Sequence, residues 1–126
     1  MDFLLDCLSR VRYYLHVINK NKPSDGDALL AKLAALDNPH RLRIVAALAV
    51  GGRNYVSQLA RDLGISRPLL HLHLQKLEAA GLVASTMELS HDGKALNYFE
   101  VVSFNLVLDP AAIAAAAQSL TIHLDK

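Results

Sequence analysis

Two histidines one residue apart, His71 and His73, stand in the run SRPLLHLHLQKLEAAGL, residues 66–82. Imidazole ligates zinc, copper and nickel, and it titrates near neutral pH. The run otherwise reads as helix, so spacing decides what the pair can do. A helix turns by about 100° per residue, which sets residues two apart roughly 160° from each other. This pair cannot chelate one ion; a His-x-x-x-His spacing would. His16, His123 and Asp125 could meet between the ends of two chains, although solvated surface is the simpler reading for each. The one cysteine, Cys7, falls on an apolar stripe and reads as a small buried hydrophobe. The chain carries no nucleophile–base–orienter set and no glycine-rich phosphate loop, which argues against an enzyme. Neither a cofactor nor a metal is expected.

The two histidines therefore need separate roles. Leu70, Leu74 and Leu77 share one side of the helix and define its buried face. His73 falls about 60° from Leu70 and should pack at the core edge with one nitrogen hydrogen-bonded to backbone or water. His71 points the other way, with Arg67, Pro68, Leu72, Gln75 and Lys76. On an ordinary surface helix such a face meets only water. The charge distribution offers more. The chain's net charge is +1, yet residues 38–83 hold six basic side chains (Arg41, Arg43, Arg53, Arg61, Arg67, Lys76) against two acidic ones. That is a local footprint for a polyanion.

The elements that would hold this face can be read in order. The chain has 126 residues and is 52% hydrophobic, enough for one globular domain. Residues 1–20 carry Leu4, Leu8, Val11 and Leu15 at helical spacing, interrupted by charge, with no signal-peptide pattern. Residues 21–26 read as a linker. A core spans residues 27–108. Leu29, Leu30, Leu33 and Leu36 form one helix face. Asn38 caps the next helix, with His40 in its first turn and Leu42, Ile44, Val45 and Leu48 facing inward. Ser57 is expected to cap the short helix QLARDL, which stops at Gly64. Ser66 caps the histidine helix, which stops at Gly81. The period then changes to strand, with HDGK between VASTMELS and ALNYFEVV. A two-residue Asp92-Gly93 loop would set Leu89 opposite Leu96, Met87 opposite Tyr98 and Val83 opposite Val102. Asp109-Pro110 opens a final helix within residues 109–126, striped by Ile113, Ala116, Ala117 and Leu120. The fold class is mainly α with a β-hairpin wing, a winged helix-turn-helix between two flanking helices. With one cysteine and no membrane span, a cytoplasmic location fits.

From about Leu33 to Val102 the chain resembles the ArsR/SmtB family of winged-helix transcriptional regulators. The segments LAALDNPHRLRIVAAL, VSQLARDLGISRPLLHLHLQKLEAAGLV and ALNYFEV carry the likeness. It implies a homodimeric repressor that binds a palindromic double-stranded DNA operator. The outward face of the histidine helix would enter the major groove. There Arg67 suits guanine, Gln75 adenine and Leu72 a thymine methyl, with Pro68, His71 and Lys76 alongside. Ser66, Arg53 and Lys94 suit phosphate. The terminal helices would pair two protomers through Leu4, Leu8, Val11, Leu15, Ile113, Ala116, Ala117 and Leu120, the alternative being packing within one chain. Metal-sensing members carry a cysteine pair before the recognition helix or spaced Asp and His residues on the last helix. QLARDLG has no cysteine and the last helix lacks paired histidines, so those sensor positions are unfilled; the alternative is a non-standard metal site of His16, His123 and Asp125 between the terminal helices. Exposed Leu72 and a wing whose basic tip residues are only His91 and Lys94 also suit a protein–protein module.

Overall fold

The computed structural model describes residues 25–121. Leu4, Cys7, Leu8, Val11, Leu15, His16, His123 and Asp125 lie outside the described residues. The first helix, α1, runs Asp25–Leu36, so Asp25 and Gly26 of the expected linker belong to its first turn. The next, α2, spans Pro39–Gly51. The Asn38 side chain accepts from His40 N and Arg41 N at its start, and Pro39 needs no partner there. Ile44 and Leu48 are buried, but Leu42 is 54% exposed and leaves the expected core face. Leu42 lies about 160° around the helix from Ile44.

A two-residue strand, β1 (Asn54–Tyr55), precedes α3 (Val56–Leu63). The helix begins one residue before Ser57, so Ser57 lies inside it. Tyr55 occupies the cap position without a side-chain hydrogen bond. At the other end Gly64 takes φ 67°, and the amides of Gly64 and Ile65 bond to Arg61 O and Ala60 O. That left-handed turn reverses the chain at little steric cost. The histidine helix, α4, follows at Arg67–Ala79.

The wing consists of β2 (Val83–Leu89) and β3 (Ala95–Val101), and β1 adds to β3 to give the antiparallel order β1-β3-β2. Its register differs by one residue from the expected one. Val83 faces Val101, Met87 faces Asn97 and Leu89 faces Ala95. The cause is the turn. A two-residue type I′ loop would need positive φ at Asp92, and only glycines have it here. Instead Gly93 N bonds to Ser90 O and Ser90 N to Lys94 O, with Gly93 at φ 81°. His91, Asp92 and Gly93 thus form a three-residue loop. A one-residue shift moves side chains to the other face. Tyr98 and Met87 end on opposite faces, and Phe99 enters the core opposite Ser85. The core reaches only the base of the hairpin, so Met87 and Leu89 stand 69% and 78% exposed.

Leu59, Leu70, Leu74, Leu77, Leu82 and Ile44 are the largest fully buried side chains. They bind α2, α3 and α4 to the sheet's base. The last described helix, α5 (Pro110–Ala117), starts at an Asp109 cap and is shorter than the expected helix, so Leu120 lies beyond its end. It packs on α1. A Cβ on Gly26 would come within 2.1 Å of Ala116 O. Gly26 N donates to Ser119 Oγ at 2.8 Å, and Thr121 N donates to Asp27 at 3.0 Å. No helix among the described residues is long and apolar enough to cross a membrane.

Candidate nucleic-acid interface

The presented face is built on α4. Ser66 Oγ accepts from Leu69 N at 3.3 Å, and Pro68 sits in the first turn, where no amide partner is needed. Leu70, Leu74 and Leu77 are fully buried and fix the rotation of the helix. Arg67, Pro68, His71, Leu72 and Gln75 consequently point outward, with Leu72 58% exposed.

Arg67, Pro68, His71, Leu72, Gln75 and Lys76 are all exposed on α4 and border different neighbours. Arg67 and His71 line a groove of about 230 Å³ with Ser57 of α3 and Ala95, Leu96 and Asn97 of the wing. Pro68, Leu72 and Gln75 are exposed along α4. Lys76 turns to the far flank and borders a different hollow with Arg41 and the alanines of α1. Ser57 and Asn97 are polar groove residues that sequence reasoning missed. The one-residue error in wing register hid Asn97, and treating Ser57 only as a cap hid Ser57.

The wing's charges are largely spoken for. Arg53 donates to both carboxylate oxygens of Glu88, at 2.7 and 3.0 Å, and its guanidinium lies 4.4 Å from the centre of the Tyr98 ring. The hydrogen bond from Arg53 holds the Glu88 carboxyl below its usual range. Arg53 can meet a phosphate only by leaving or sharing Glu88. At the tip, the Ser90 hydroxyl donates to Asp92 and keeps that carboxyl below its usual range, so a negative charge sits near exposed Lys94. Arg41 also leaves the basic footprint, because it is buried.

The histidines separate as their spacing requires: His71 is exposed and His73 is buried. Arg41 Nη1 lies 3.2 Å from His73 Nδ1. A guanidinium only donates, so Nδ1 is the acceptor and the ring proton resides on Nε2. That Nε2 is buried without a partner. The ring stacks on His40 at 5.3 Å. Burial, then the charge of Arg41, then His40 and Lys76 push the His73 pKa down. Among the described residues, no three His, Cys, Asp or Glu side chains group to hold a metal ion.

Residues 36–86 match a helix-turn-helix domain family. A stretch of 75 residues is 36% identical to an uncharacterized HTH-type transcriptional regulator of Methanocaldococcus jannaschii, covering 60% of this chain and 77% of that one. Another of 63 residues is 43% identical to the HTH-type transcriptional regulator CmtR of Mycobacterium tuberculosis, covering 49% of this chain and 52% of CmtR. The match thus spans about half of CmtR's length. The fold is similar to that of a possible transcriptional regulatory protein (fragment 1-100) from Mycobacterium bovis, with TM-score 0.54 and 25% identity over 73% of this chain and 86% of that one.

Proposed function

This chain belongs to the winged helix-turn-helix transcriptional regulators, and we propose that it is a homodimeric, sequence-specific repressor of the ArsR/SmtB type, acting in the cytoplasm. The observation that carries the DNA reading is the exposed outward face of α4, with Arg67 and His71 beside Asn97 of the wing. A recognition helix docks its N-terminal half against base edges in the major groove. Arg67 reads guanine, Gln75 reads adenine and Leu72 meets a thymine methyl. Pro68 and His71 shape the approach, and Ser66 and Lys94 position phosphates. Lys76 reaches the backbone at the edge of the footprint, and Arg53 joins it only by leaving or sharing Glu88.

The dimer reading is supported by an apolar groove of about 170 Å³ between α1 and α5. Leu30, Ile113 and Leu120 line it, with Ala116 and Ala117 at its base. Leu30 is 43% exposed, Ile113 52% and Leu120 38%. A second protomer, together with Leu4, Leu8, Val11 and Leu15, would cover these side chains and align two α4 helices on a palindrome. The second reading, a protein-docking module, draws on exposed Leu72, Met87 and Leu89.

Arg67→Ala distinguishes the two. Loss of a bidentate base contact should weaken binding by about 1–3 kcal/mol and relax preference at one base pair in each half-site. Titration of labelled duplexes carrying each base at that position measures both. An Arg67→Ala protein with unchanged affinity and preference means that another surface reads the DNA.

A further inference from the structure

On the flank of α4 turned away from the wing lies an open hollow of about 370 Å³. Ala31 and Ala34 of α1 and Ala79 of α4 form its walls, and Arg41 and Lys76 are its charged residues. No acid lines it. Arg41 is only 7% exposed. Its Nε donates to Ala35 O at 2.5 Å, one Nη to Ala34 O at 3.4 Å, and the other faces His73 Nδ1. Those three contacts use three of a guanidinium's five N–H groups. None goes to a carboxylate. The one ion pair among the described residues is Arg53–Glu88. The negative end of α1 compensates part of the Arg41 charge. The rest is a buried cation at the edge of a hollow that also holds Lys76, and such a charge favours a counter-ion.

We propose that this hollow binds a small carboxylate with an apolar body. The carboxylate meets Arg41 and Lys76, and the body lies on the alanine walls. Small-molecule sites of about 300–1,000 Å³ combine apolar walls with a few convergent polar groups. The guanidinium fork matches a carboxylate's geometry. An inorganic anion would satisfy the cations but leave the alanine surface uncovered. Resting on the DNA-binding reading, occupancy has a consequence. Lys76 and Ala79 belong to the helix that carries the reading face, and an anion there cancels positive charge near the DNA. Operator affinity should fall several-fold when the hollow is filled.

Calorimetry on the full chain without DNA tests the site, with octanoate as probe and octanamide as its neutral counterpart. Octanoate should bind saturably, one per chain, and octanamide at least tenfold more weakly. Lys76→Gln should weaken octanoate about tenfold. Ala34→Leu, which fills the hollow from an exposed helix position, should abolish binding while the thermal unfolding curve stays cooperative. Val50→Ser, at a 92% exposed position near the end of α2, should leave octanoate binding unchanged. Equal binding of octanoate and octanamide, full binding by Ala34→Leu, or loss of binding by Val50→Ser would overturn the proposal, as would absence of saturable binding. These outcomes are read without DNA, so they leave the DNA reading untouched.

Discussion

Replacing Arg41 with alanine is expected to lower the unfolding free energy by about 2–4 kcal/mol. A hydrogen bond to a charged group contributes about 1.5–3 kcal/mol, and a stranded buried acceptor costs about 1–3 kcal/mol. Here the substitution strands Ala35 O and His73 Nδ1 together. Urea denaturation of both proteins measures the difference, and a loss under about 0.5 kcal/mol would show that the contacts add little. The same cluster sets a pH dependence. The folded-state pKa of His73 is pushed below the ordinary value of about 6.5 by burial, Arg41, His40 and Lys76. The unfolded chain therefore binds the proton more readily. Stability is full above about pH 6.5 and declines as the pH falls from there through the lower folded-state pKa. Denaturation at stepped pH should show this slope in the wild type, and His73→Ala, less stable throughout, should show less of it.

DNA affinity is expected to fall about a hundredfold between 50 and 200 mM salt. Lys76 and Lys94 are exposed on each protomer, and Arg67 is engaged with a base, so a dimer offers about four cations to phosphates. Each phosphate neutralised contributes about −0.9 to the slope of log K against log salt. A fourfold rise in salt then costs about two decades. Arg41 is left out because it is buried, and Arg53 because Glu88 holds it. Anisotropy titrations across that range give the slope, and a fall of less than tenfold would mean that few phosphates are engaged.

Much of this arrangement is legible in the residues themselves. Leu70, Leu74 and Leu77 fix how α4 is turned, and the opposite fates of His71 and His73 follow from helical geometry. Gly64 and Ser66 mark the turn between the two helices because one backbone conformation and one side-chain cap are needed there. What escaped depends on contacts distant in sequence. Arg41 looks like any surface arginine until α1 brings its last carbonyls over it. The strand β1 is two residues long, too short for any period to show. The wing register rests on one torsion, at Asp92, which decides between two loop lengths and moves Asn97 into the groove beside Arg67. The pairing of Arg53 with Glu88 depends on that same sheet.

The most direct test is selection of bound sequences by the wild-type chain from a library of random duplexes. A homodimer reading base edges through α4 should enrich an inverted repeat, its half-sites about one helical turn apart, centre to centre. Recovery of no preferred sequence would contradict sequence-specific recognition by this face.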